Sequence, residues 1–191
     1  MGLDIHISTD NDKNIYTADF FTNDEGHRNK MSLSRQFCNL MRRQHISTGT
    51  PEFNQIAALT DTDIAPIFDM EKYWDEESAE HQLSFGETEE DKKRIADKIQ
   101  ADRNSLKGNI DKVQHTITTL ISQLSSFENL HKKIKVYGDD TIGIEYYFSD
   151  FNADKGDGYI RNNFGQDLRN FSRFLAYAKY KGATTVYFNY G

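Results

Sequence analysis

The sequence predicts an α+β fold, an antiparallel sheet with helices packed on it and an inserted long helical region, hairpin or coiled-coil-like. Three observations predict it. Leu3, Ile5 and Ile7 alternate with Asp4, His6 and Ser8, the period of two of a strand with one buried face. Of the 24 aromatic residues, 14 lie in the last 55 positions, which places the main core toward the C-terminus. Between these ends, Ile99, Leu106, Val113, Leu120 and Phe127 recur every seven residues, and Ile110, Ile117 and Leu124 come four residues after members of that series. At 191 residues a single domain is expected. Residues 31–131 then form a helical insertion between the strand-forming segments 1–21 and 133–191.

Taken in order, the first strand is followed by an Asp- and Asn-rich turn at residues 9–14 and a second strand over residues 15–21, together a hairpin. From Ser32, a candidate N-cap, the spacing changes: Leu33, Phe37, Leu40 and Met41 mark a helix to about Gln44. Thr50-Pro51 reads as N-cap and first residue of a short helix with Phe53, Ile56, Ala57 and Leu59 on its apolar face. Pro66 interrupts the next segment, and the pattern through Met70, Tyr73 and Trp74 is weak. The heptad region runs from Glu87 to about His131, on the order of 65 Å if unbroken. Lys107-Gly108-Asn109 is the natural place for a turn, yet the register carries straight through it, which favours one continuous helix. Arg103 occupies a seam position that should be apolar. Residues 133–148 read as a hairpin about Gly138-Asp139-Asp140. Asn163 caps a last helix in which Phe164, Leu168, Phe171, Leu175 and Ala178 are spaced by four and three, with Gly182 past its end, and residues 184–190 form a final strand.

The net charge is −7, but residues 75–91 alone hold eight acids and no Lys or Arg, which leaves the rest of the chain near +1. The ordinary reading is a solvated loop entering a helix whose dipole favours Glu87, Glu89 and Glu90 in its first turn. The sharper reading makes these three a site for a basic partner surface, or a mimic of nucleic-acid phosphates. One cysteine, Cys38, excludes an internal disulfide framework and any multi-cysteine metal site. No apolar stretch is long enough to span a membrane and no secretory leader is visible, so a cytoplasmic location is expected.

Chemistry is sparse. Asp150, Asn152 and Asp154 stand at the first three ligand positions of a calcium loop, but Lys155 replaces the turn glycine and Arg161 the bidentate Glu, so no metal is expected. Asp4, His6 and Ser8 share a strand face, which makes Asp4 and His6 weak catalytic candidates against the simpler reading of a solvated face. No nucleophile elbow, phosphate loop or dinucleotide fingerprint occurs, and no cofactor is expected. Opposite the core face of the last helix, Arg169, Arg173, Tyr177 and Tyr180 cluster about 180° away. Arg and Tyr are the residues enriched at binding hot spots, so this stripe is a candidate partner surface. Its alternative is internal packing, the tyrosines under the long helix and the arginines against the acidic segment.

The opening Met1-Gly2-Leu3-Asp4, followed by an alternating strand, resembles a group of uncharacterised small phage and bacterial proteins that begin with these four residues. The likeness covers about eight residues, with an echo in the helix at residues 33–41 and in the aromatic terminal strand. The tryptophan-containing helix of that group is missing. The resemblance implies a mobile-element or accessory context and carries over no activity.

The expectation is therefore a cytoplasmic macromolecular-interaction protein, of an inhibitor or immunity type, that binds another protein through charged surfaces, with a homodimer through the long helix also open. The first alternative is a small hydrolase with a site between the first strand and the C-terminal half. The second is a nucleic-acid-binding module built on Arg161, Arg169, Arg173, Tyr177 and Lys179, which the net charge disfavours.

Overall fold

The structure is a computed structural model and describes residues 4–22, 27–46, 48–140 and 142–190. The expectation for Leu3 and the opening Met1-Gly2-Leu3 lies outside them. Among the described residues the fold is helix-rich α+β with one small antiparallel sheet. Strand β1 (Ile5–Thr9) pairs with β2 (Val186–Tyr190), in a register that runs from Ile5 opposite Tyr190 to Thr9 opposite Val186. The two ends of the described chain thus lie side by side.

The helices are α1 (Asp12–Ile15), α2 (Ala18–Thr22), α3 (His27–Met31), α4 (Arg35–Arg42), α5 (Glu52–Thr60), α6 (Ala65–Asp69), α7 (Glu76–Ser84), α8 (Glu89–Leu106), α9 (Ile110–Leu124), α10 (Ile144–Tyr147) and α11 (Phe164–Tyr180). The N-caps reflect side-chain chemistry. Ser34, two residues after the expected Ser32, accepts the Phe37 N–H, and Asn163 accepts the Gln166 N–H. At the far end of α11, Gly182 takes the left-handed conformation with φ +88°.

Helix α11 is the centre of the molecule. Its expected apolar face, Phe164, Leu168, Phe171, Leu175 and Ala178, is fully buried, and Phe174 joins it. Phe164 and Phe171 meet Phe53, Phe148, Phe37 and Phe188 in tilted and edge-to-face pairs. Helix α9 lies against α11 and buries Ile110, Val113, Ile117, Leu120 and Leu124.

Three expectations are corrected. Residues 15–21 form no strand: the chain turns through α1 and α2 and buries Ile15 and Phe20, with the Tyr16 ring against Phe20 and Phe174. Residues 133–148 form no hairpin either. Their described residues carry no regular element before α10, and several of their main-chain groups are bonded by side chains. Gln55 bonds both Lys135 N–H and Lys135 C=O at 2.7 Å, and Arg43 donates to the carbonyls of Tyr137 (2.8 Å) and Asp139 (2.6 Å). Arg43 is itself held by a buried bidentate pair with Glu52 at 2.6 and 2.9 Å. The heptad series is also not one helix. Gly108, at φ +71°, ends α8, and the Asn109 amide bonds both the N–H and C=O of Val186 at 2.8 Å. The α9 half of the series is therefore core, while the α8 half faces α7.

The parity of the sheet is set by one bond, Asp10 N–H to Thr185 C=O at 3.1 Å. In an antiparallel ladder, alternate residues turn their backbone groups toward the partner strand. Asp10, Ser8 and His6 thus face β2, and Thr9, Ile7 and Ile5 face outward. In agreement, the Thr9 N–H is taken by Asp12 Oδ1 at 2.7 Å and the Ile7 C=O by the Tyr16 hydroxyl.

Candidate functional site

Helices α7 and α8 form a two-helix arm. Only Ala79, Ile99 and Leu106 are buried on it, so the arm is held from its root rather than by a core of its own. The root is aromatic and cationic. Trp74 Nε1–H donates to Asp102 (2.9 Å), and Lys98 lies 5.6 Å from the Trp74 ring. Arg103, the misfit of the heptad seam, donates to the carbonyls of Trp74 (2.7 Å) and Asp75 (3.2 Å) and stacks over Tyr73. Tyr73 in turn stacks on Tyr187 of β2, with ring centroids 3.5 Å apart. A polar residue at an apolar position is here the clasp that fixes the start of α7.

Much of the acidic run is spent on helix starts. Asp75 caps α7 by accepting the Ser78 N–H, and Glu76 and Glu77 occupy its first turn. Thr88 caps α8, with Glu89, Glu90 and Asp91 in the first turn. Glu87 stands one residue before that cap, outside the helix. Asp91 pairs with Arg94 at 3.1 Å and Glu89 with Lys92 at 3.0 Å, while Glu87 and Glu90 have no ion pair among the described residues. Between the helices, at the tip, Phe85 is 61% exposed, its ring edge-on to His81. A large exposed apolar side chain within an acidic stretch of sequence has the form of a docking anchor. The sequence signal was there, a lone aromatic beside a glycine inside an acidic segment.

The stripe on α11 is engaged within the chain. Arg169 donates to Asp154 (2.6 and 3.0 Å) and to the carbonyls of Phe151 and Ala153. This is possible because Gly165, one turn earlier, lets the Phe151 carbonyl approach to where a Cβ would clash at 1.9 Å. Arg173, half-buried, donates to the Lys30 carbonyl (2.8 Å) and to Asn170, and desolvation depresses its pKa. Tyr177 packs against Phe20 and carries Lys181 over its ring. Tyr180 alone is fully outside, at 85% exposure. Neither the long helix nor the acidic segment covers the stripe; α2, α3 and the loop after α10 do. Of the basic set considered for nucleic acid, Lys179 is paired with Asp111.

The three calcium-like residues are separated by their bonds. Asp150 pairs with Lys155 at 2.7 Å, Asn152 donates to the Ser125 carbonyl, and Asp154 belongs to Arg169. Among the described residues, no group of three or more His, Cys, Asp or Glu side chains could hold a metal ion.

Beside β1, Asp4 is held by Arg35 at 3.1 Å and by the Tyr159 hydroxyl, and these bonds hold its pKa below the ordinary carboxylate value. His6 is exposed and makes no hydrogen bond to Asp4 or Ser8 among the described residues, and Ser8 is buried. A base, an orienter and a nucleophile are therefore not assembled there. A groove of about 420 Å³ does run alongside, lined by Ile5, His6, Tyr16, Phe20, Arg28 and Tyr159 among others.

A fully enclosed carboxylate lies elsewhere. Asp167 is fully buried and accepts four hydrogen bonds, from Ser34 N–H (3.0 Å), Ser34 Oγ (2.6 Å), Tyr147 Oη (2.8 Å) and Asn162 Nδ2 (2.7 Å). Burial nevertheless pushes its pKa up to about 6. Four segments meet on this carboxylate, so its role is to join them. Nothing in the sequence distinguished it from any other helical Asp.

No family model matches the chain, and neither does any curated protein or solved structure. Among the described residues, no helix is long and apolar enough to cross a membrane.

Proposed function

We propose that this chain is a macromolecular-interaction protein, of the inhibitor or immunity type, that docks onto a basic surface of another protein through the tip of the α7–α8 arm. The observation that carries the reading is Phe85, 61% exposed at the turn between two helices and flanked by Glu80, Glu87, Glu89 and Glu90 in sequence. An aromatic anchor supplies contact area and the surrounding carboxylates steer a basic partner, so affinity and association rate have separate sources on one element. The arm's fastening at Trp74 and Arg103 supports this use, since a rigid projection loses little entropy on docking. The reading places the chain in the cytoplasm, where the single buried thiol of Cys38 would stay reduced. An accessory role also fits the context that the opening residues suggest.

A photo-crosslinking residue placed at position 85 in the producing cell, compared with one at Lys135, tests the proposal. Position 85 should give one discrete adduct. The purified adduct partner should bind the wild-type chain and lose at least about tenfold in affinity for Phe85→Ser and for the triple Glu87→Lys, Glu89→Lys, Glu90→Lys variant, with far-UV spectra unchanged. Equal affinity of these variants would remove the arm from the site.

A further inference from the structure

The geometry points to the outer edge of β1 as a docking site for an extended segment of another protein, one alternating apolar and acidic residues, which adds to the sheet as a third strand. This goes beyond the arm, from which it is separate.

Both edges of the sheet carry outward groups without a hydrogen-bond partner among the described residues, Phe188 N–H and C=O on β2 as well as those on β1, and what sets β1 apart is the groove beside its open groups. On β2 the outward Val186 N–H and C=O are both taken by the Asn109 amide, which imitates a strand, and Tyr73 stacks on Tyr187. On β1 the outward groups are those of Ile5, Ile7 and Thr9. Thr9 N–H is met by Asp12 and Ile7 C=O by Tyr16, but Ile5 N–H, Ile5 C=O and Ile7 N–H have no hydrogen-bond partner among the described residues. Unpaired edge groups are a template for strand addition, and proteins ordinarily cover them. Here they face the groove of about 420 Å³ instead.

The walls of the groove name the segment. Its lining is apolar at Tyr16, Phe20 and Leu33 and at Phe21, which is 53% exposed. The same lining carries charge and polarity at the exposed His6, at Arg28, poised 5.8 Å over the Phe21 ring, and at Tyr159. No carboxylate is among the residues that line the groove; nearby, Asp4 is paired with Arg35, and Asp12 is spent on the Thr9 N–H and hydroxyl. A strand presents alternate residues to opposite faces, so a segment alternating apolar side chains and carboxylates can meet both the apolar lining and Arg28.

The probe is a fluorescein-labelled hexapeptide of alternating Val and Glu, titrated into the full chain. It should bind saturably, and on binding the amide hydrogens of Ile5 and Ile7 should exchange at least about tenfold more slowly, while His6 and Ser8, already paired with β2, stay unchanged. The same peptide with its alternate amides N-methylated, or with Lys for Glu, should bind about tenfold or more weakly, and so should the wild-type peptide to Arg28→Glu. Phe85→Ser should leave all of this intact, which separates this site from the arm. Absence of saturable binding, binding without slowed exchange at Ile5 and Ile7, or equal binding of the N-methylated peptide each overturns the proposal. Slowed exchange on raising protein concentration alone would assign the edge to a second copy and overturn it as well.

Discussion

At the scale of single residues, the chain relies on buried side chains that replace backbone partners, and Asp167 shows what that implies for pH. Its two hydroxyl donors, Ser34 and Tyr147, can rotate to accept, so the site tolerates a protonated acid as well as a carboxylate. With a folded pKa of about 6 against 3.8 for the free group, the native state holds a proton that the unfolded chain has released between those values. The stability contributed by that proton is fully present below pH 3.8 and lost as pH rises through about 6, and its limit is roughly 3 kcal/mol. Asp167→Asn keeps one acceptor and does not titrate. Urea unfolding of the two proteins should show a gap that widens by roughly 2–3 kcal/mol between pH 7 and pH 4; a constant gap would mean that Asp167 titrates alike in both states. Glu52 has no such tolerance. Its carboxylate is the one that pairs with the buried Arg43 among the described residues, so Glu52→Gln strands a guanidinium and should cost about 3–5 kcal/mol. The loss should spread to residues 134–140, whose carbonyls Arg43 holds, and faster proteolysis in that segment is the readout.

At the scale of elements, the arm should behave as a unit of its own. Arg103→Ala removes two hydrogen bonds and the contact with Tyr73, a loss of about 1–3 kcal/mol that falls on α7 and α8 rather than on α9. Amides of residues 76–102 should exchange faster by one to two orders of magnitude, at roughly RT ln 10 per tenfold, while those of α9 and α11 keep their protection. Uniform loss across the chain would show that the arm is part of the core cooperative unit. The same elements explain what was legible in the sequence. Helix α11, its caps and its core face can be read directly from the spacing of Phe164, Leu168, Phe171, Leu175 and Ala178, because a wide apolar stripe has one way to be buried. Residues 133–148 misled because Ile134 and Ile142 alternate as strand residues do and are buried as such, yet Gln55 and Arg43 supply the bonds a neighbouring strand would give. Period two reports alternating burial along a segment, not a ladder. The break at Gly108 was hidden for a related reason: the heptad spacing continues across it, but each half faces a different partner, and Asn109 is drawn to Val186 some 77 positions away. The candidate sites were harder still. Arg169 and Arg173 stand opposite the core face as helical geometry requires, and only tertiary structure reveals that the loop around Phe151 and the end of α3 return to cover them.

At the scale of the whole molecule, the sheet joins the first strand to the last, so the contact that closes the fold is also the most distant in sequence. Thr184 and Thr185 are pinned by Asp10, and the Lys181 carbonyl by Asn11, which extends the closure beyond the ladder itself. Such contacts form late, since the loop they close spans nearly the whole chain. The heptad seam adds a second constraint: with its α9 half buried under α11 it leaves no continuous strip for a coiled-coil homodimer. Both points bear on where the chain can be cut. Tyr190 lies opposite Ile5, so a short flexible linker can join the ends without moving either strand. Reopening the circle at Gly86, in the exposed turn between α7 and α8, breaks no core contact, and that permutant should fold with a melting temperature within a few degrees of the parent. Reopening at Gly108 is the contrasting case. There Gly108 N–H donates to Thr185, Asn109 clamps Val186 and Ile110 N–H donates to Thr184, so new termini would release the outer edge of β2 together with the start of α9. That permutant should lose cooperative unfolding in thermal melts. If both permutants melt alike, the 107–109 turn does not organise the sheet, and closure by β1 alone suffices to hold the C-terminal strand.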